Sequence, residues 1–149
     1  IGVVASIQPT HATSDKNMAG DRLGEERLAG AYAWKKLIDS GAAVAGGSDF
    51  PVEYANPFFG LHAAVTRQSQ DNQPPGGWLP GEKLSREQAL SLFTENAAWA
   101  AHQENVIGKL LPGYAADFIL VRDNYFEIPA EDIWKNEVIG TWVNGVRVH

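Results

Sequence analysis

The sequence predicts an α/β fold with a small β unit behind it, and three observations carry that prediction. A buried-strand run at 2–8, a helical stretch at 25–40 and a second apolar run at 42–46 follow one another. That order is the strand–helix–strand unit of a parallel α/β architecture. The second run ends in Gly46-Gly47-Ser48-Asp49-Phe50-Pro51, a small flexible turn with a carboxylate at its tip. Past Asn105 the composition becomes β-rich, and Asn144-Gly145 between two such runs signals a hairpin.

Each element has its local reason. Gly2-Val3-Val4-Ala5-Ser6-Ile7 reads as a strand, stopped by Pro9. Thr10 to Gly24 is polar and long for a connector, so it is expected as a functional loop at the mouth of a site. Leu28, Ala31, Tyr32, Leu37 and Ile38 give Glu25 to Ser40 a helical period, and Gly41 stands where a helix stop belongs. Pro57 opens a helix to about Ser69. Gln70 to Lys83 is Pro/Gly-rich and irregular. Ser85 and Gln88 have capping-box spacing ahead of a helix to about His102. Then come Val106 to Leu110, Ala116 to Val121, a short helix around Ala130 to Lys135, and the closing hairpin.

Composition narrows the function classes. Hydrophobic residues at 44% of 149 provide material for one core. The net charge of −6 and the lack of any basic stripe argue against a nucleic-acid partner. No apolar run is long enough to span a bilayer, so no membrane partner is expected. The absence of cysteine excludes disulfides, thiolate metal sites and thiol catalysis, and fits a cytoplasmic protein. The chain opens on Ile1 directly into a strand pattern, which is the expectation for a piece of a longer protein.

Asp49 is the first candidate. In α/β barrels chemistry sits at the C-terminal ends of strands, and Gly46 and Gly47 let the backbone approach a ligand there. The competing reading is a turn aspartate that satisfies nearby backbone N–H groups. His11 follows the first strand, so parallel pairing would put it at the same sheet end as Asp49. It could polarise a carbonyl, bind a metal or orient a substrate, or be a loop histidine with one local hydrogen bond. His62 sits among Leu61, Ala63, Ala64 and Val65 and reads as packing. His102 suits a helix C-terminus, and His149 is terminal. Asp15 and Asp21 read as solvated loop carboxylates, and Asp117 and Asp123 as turn residues. Phe50, Tyr54, Phe58 and Trp78 form either an aromatic wall near Asp49 or part of the core. The chain alone encodes no recognisable metal site, because zinc needs three or four converging ligands.

Several motifs in order resemble one family. Ser6-Ile7-Gln8-Pro9-Thr10-His11, Gly47-Ser48-Asp49-Phe50-Pro51-Val52 and Pro75-Gly76-Gly77-Trp78 are similar to the metal-dependent amidohydrolases of family 3, of the N-substituted formamide deformylase type. Gly108-Lys109-Leu110, Pro112-Gly113-Tyr114-Ala115-Ala116-Asp117-Phe118 and Val143-Asn144-Gly145 with Val148 match the same family's tail. The resemblance implies the C-terminal part of a (β/α)8 TIM-type barrel at 1–103, holding its last two strand–helix units. Residues 104–149 would be the C-terminal strands of a small composite β-sandwich. It implies hydrolysis of a non-peptide C–N bond in a small-molecule amide, with a divalent metal, by family habit zinc. Asp49 would contact the metal, take a proton from the hydrolytic water and help protonate the leaving amine. His11 and Ser48 would serve the substrate, Ser48 by orienting the Asp49 carboxylate. The other ligands would lie outside this chain, so the chain alone is expected to be inactive, with exposed barrel surface and possible homo-oligomers. A non-catalytic binding or assembly domain of the same shape, and a related deaminase, are the alternatives.

Overall fold

The structure, a computed structural model, describes residues 2–149; Ile1, where the first expected unit begins, lies outside the described residues. Strands β1 (Ala5–Ile7) and β2 (Val44–Gly46) pair in parallel, with Ala5 opposite Val44 and Ile7 opposite Gly46. Gly47 N–H extends the ladder by donating to the Ile7 carbonyl at 3.0 Å. Both strands therefore run the same way, and Pro9 to His11 and Gly47 to Asp49 emerge from one sheet end.

The stretch expected as a loop at 10–24 is instead a helix, α1 (Pro9–Leu23). Pro9 occupies its first turn, where a missing N–H costs nothing. The buried side of α1 is made of Pro9, Thr10, Ala12, Thr13 and Ala19. Small and polar residues there give no Leu/Ile period, although α1 packs closely on a later helix. The single helix expected at 25–40 is two, α2 (Glu25–Leu28) and α3 (Trp34–Asp39). Between them Tyr32 takes φ 49°, held from outside: its hydroxyl donates to Asp15 Oδ2 at 2.6 Å and its carbonyl accepts from Arg67 Nη1 at 3.3 Å. Gly41 ends α3 as expected, with φ 81°, donating to the Ile38 carbonyl while Ala42 donates to that of Leu37. These two bonds are a Schellman closure.

Helix α4 (Pro57–Thr66) starts at Asn56, whose side chain accepts from Phe58 N–H. It stops at Arg67, in the left-handed region at φ 59°. Arg67 is wholly buried and joins three segments. Its backbone carbonyl accepts from Trp78 N–H at 2.8 Å, and its Nε donates back to the Trp78 carbonyl at 3.0 Å. Its guanidinium lies 4.6 Å from the Trp34 ring and 5.5 Å from that of Trp78. Burial pulls its pKa down to about 10, which leaves it charged at neutral pH. Gly77, with φ 85°, runs so close to the Thr66 carbonyl that a side chain there would collide.

The helix expected from 85 to 102 breaks at Thr94, giving α5 (Arg86–Phe93) and α6 (Glu95–Ala100). Thr94 Oγ1 bonds back to the Leu90 carbonyl at 2.9 Å, and the bend lets both helices pack on β2. The capping box is present: Ser85 accepts from Gln88 N–H, and the Gln88 side chain accepts from Ser85 N–H. Ser85→Ala should cost about 1 kcal/mol, read as a lower urea midpoint with an unchanged m-value.

No strand forms over 106–110, which is a series of turns. Three antiparallel strands follow in the order β3 (Phe118–Val121), β4 (Val138–Val143), β5 (Val146–Arg147). Asn144 and Gly145 take φ 49° and 75°, the two left-handed residues of a type I′ hairpin turn. Asp117 Oδ1 accepts from Asn144 N–H at 2.7 Å, the turn role expected of it. The short helix at Ala130–Lys135 is 3-10 and packs on α4. One apolar cluster holds the molecule together: Ile7, Val44, Leu61, Ala64 and Leu92 meet Tyr125 and Ile133 from the β-rich part. No helix among the described residues is long and apolar enough to cross a membrane.

Candidate active site

The parallel pairing brings His11 and Asp49 together. His11 stands in the first turn of α1, and Asp49 at the tip of the turn after β2. His11 Nε2 lies 3.6 Å from Asp49 Oδ2. This is longer than a hydrogen bond. His11 Nε2 is closed off from solvent and has no hydrogen-bond partner, whereas the Asp49 side chain is half exposed. Asp49 adopts φ 58°, which asparagine and aspartate tolerate better than most residues. Its carbonyl accepts from Val52 N–H at 2.8 Å, so the backbone closes the turn and the carboxylate stays free of it. Ser48 Oγ accepts from Phe50 N–H at 3.3 Å.

The four aromatic residues do not form a wall beside Asp49. Phe50 and Tyr54 point into solvent, Phe58 is in the core, and Trp78 packs edge-on against Tyr32 at 5.3 Å. Asp15 is not simply solvated but bound by Tyr32; burial first, then this carboxylate, pushes the Tyr32 phenol up to about 12.

His62 is buried in α4, as its apolar neighbours suggest, and its Nε2 donates to Asn72 Oδ1 at 3.1 Å. Burial lowers its pKa below the ordinary 6.5. The unfolded chain therefore takes up a proton that the folded chain resists, and stability falls as pH drops below about 6.5. The urea midpoint should fall between about pH 7 and pH 5, and fall less in His62→Gln.

The residues present offer part of a metal shell. Asp49 presents a free carboxylate oxygen and His11 an unpartnered imidazole nitrogen, donor types that divalent metals take. Among the described residues no group of three or more His, Cys, Asp or Glu converges to hold an ion. The fit is one of donor chemistry, with further ligands required.

The sequence profile of the Amidohydrolase family matches residues 1–149. The chain belongs to this family. It is 35% identical over 147 residues to "Putative amidohydrolase YtcJ" of Bacillus subtilis (strain 168), covering 99% of this chain and 28% of that protein. A crystal structure of an uncharacterized metal-dependent hydrolase from Pyrococcus furiosus superposes with a TM-score of 0.62 and 36% identity, over 76% of this chain and 22% of that one. The N-substituted formamide deformylase of Arthrobacter pascens is 24% identical over 112 residues, 75% of this chain and 20% of that protein. The chain thus spans about a quarter of the length of the curated relatives it matches.

Sequence reasoning missed Arg67. Arg67, a lone cation after an apolar helix, carried a signal only in being followed by a Pro/Gly-rich stretch it could brace.

Proposed function

We propose that this chain is the C-terminal portion of a metal-dependent amidohydrolase that hydrolyses a non-peptide C–N bond of a small-molecule amide. In that reading 1–103 supplies the last two strand–helix units of a TIM-type barrel, and 104–149 part of a β-sandwich. The observation that carries it is the convergence of His11 and Asp49 at the C-terminal ends of two parallel strands.

A divalent metal, zinc by family resemblance, supplies an activated water when bound. Asp49 is the residue of this chain that would hold it. Asp49 also accepts the proton of the attacking water and returns it to the leaving nitrogen, for which its free carboxylate is suited. His11, beside Asp49 at the same strand end, is the residue assigned to the substrate. Ser48 shapes the turn from which Asp49 projects, through its bond to Phe50 N–H.

Metal analysis and an amide screen of the full-length polypeptide test this. Turnover should vanish on chelation and return with added zinc, while the 149-residue chain alone turns over nothing. A metal-free full-length protein with undiminished turnover would refute it, and so would turnover by this chain alone.

A further inference from the structure

The segment that carries Asp49 leaves the sheet at Gly46, the last residue of β2, and rejoins the core near Gly60, in α4. Both ends meet one side chain. Phe93, the last residue of α5, lies with its ring against the two glycines. A Cβ on Gly60 would stand 2.5 Å from Phe93 Cζ and 3.3 Å from Cε2, and a Cβ on Gly46 would stand 3.4 Å from the same Cε2. Gly46 is closed on its other side as well, since its Cβ would meet that of Leu92 at 2.9 Å. Neither glycine has a positive φ, so each is glycine for space and not for backbone conformation.

The ring is itself held firmly. Thr94 Oγ1 closes the end of α5 on the Leu90 carbonyl at 2.9 Å, and Asn96 Nδ2 donates to the Val44 carbonyl at 2.9 Å. The bend that presents Phe93 therefore also grips β2 two residues before Gly46. The Asp49 segment is held more loosely. A Cβ on Gly47 would meet nothing within 4 Å, and the Asp49 side chain is half exposed. Its side-chain ties to α1 are Ser14 to Glu53 at 2.5 Å and the longer approach of His11 to Asp49 at 3.6 Å.

We infer that Phe93 is a positioning residue for Asp49: its ring is a spacer between the two ends of the segment, and so sets where the carboxylate stands relative to His11. It acts through the backbone and touches no reacting atom. That the placement serves a metal rests on the hydrolase reading above; that the ring places the segment does not.

Crystal structures and zinc titrations of the full-length protein test this, with Phe93→Leu as the variant. Leucine keeps the apolar contact but lacks the ring tip, so the variant should fold. Residues 47–52 should shift by about 1 Å, and the zinc Kd should rise by about tenfold or more. In an Asp49→Asn background the same substitution should change the zinc Kd by less than about twofold, because the ligand it places is gone. Its effect on the urea midpoint should be equal in both backgrounds, which separates packing from positioning. Gly60→Ala added to Phe93→Leu puts a methyl where the ring tip was, and should recover most of the lost affinity. An unmoved segment in Phe93→Leu overturns the inference, and so does a loss of zinc affinity that is equal with and without Asp49 or that Gly60→Ala leaves untouched. Zinc-dependent amide turnover with an unmoved segment removes the spacer and leaves the hydrolase standing. A shifted segment in a protein that takes up no metal and hydrolyses no amide removes the hydrolase and leaves the spacer.

Discussion

Asp49→Asn should lower kcat of the full-length enzyme by about 10³-fold while leaving KM within a few-fold. The reason is chemical. Asparagine keeps the shape and the left-handed backbone that φ 58° requires, but it cannot accept the proton of the attacking water. The fold should hardly respond. The carboxylate is half exposed, and its contact with His11 at 3.6 Å is too long to be a hydrogen bond. Unfolding stability should therefore move by no more than about 0.5 kcal/mol. Alanine would be the poorer choice, because it adds a backbone cost at this φ. Single-turnover rates on any amide found in the screen, set beside urea melts, separate the two effects. Near-normal turnover in Asp49→Asn would show that the strand-tip carboxylate is only a turn residue.

Arg67→Ala should cost about 4 kcal/mol, a large share of the 5–15 kcal/mol that holds a typical domain together. Several losses coincide there. The guanidinium gives up its bonds to the Trp78 and Tyr32 carbonyls, leaving both acceptors buried or half-buried. Trp34 and Trp78 lose the cation between them. Glu82, itself buried, keeps only Lys36 as a cationic partner, at 3.1 Å. Arg67→Lys keeps the charge but lacks the planar fork, and should lose about 2 kcal/mol. Urea midpoints for the two variants give the order directly; equal stability of all three proteins would mean that the brace carries no load.

What could be read beforehand divides along a physical line. Elements specified by their own residues were legible: Pro9 ending β1, the Gly-Gly turn after β2, the Ser85–Gln88 cap, and Asn144-Gly145. So was the meeting of His11 and Asp49, because parallel pairing fixes which end of each strand faces a site. Features specified by distant partners were not. The buried side of α1 uses Ala12, Thr13 and Ala19, which fit closely against α4 but give no hydrophobic period. The break at Tyr32 depends on Asp15 and Arg67, and the break at Thr94 on two helices sharing β2.

The parallel pairing of β1 with β2 also bears on the order of assembly. Ala5 meets Val44 only after an intervening stretch of roughly forty residues has closed on itself, whereas α4 and α5 gather from much nearer in the chain. The two strands are therefore expected to join late, onto a nucleus already built by the later helices. His11 and Asp49 come within reach of each other only at that step, so their proximity can be used as a clock for the end of folding.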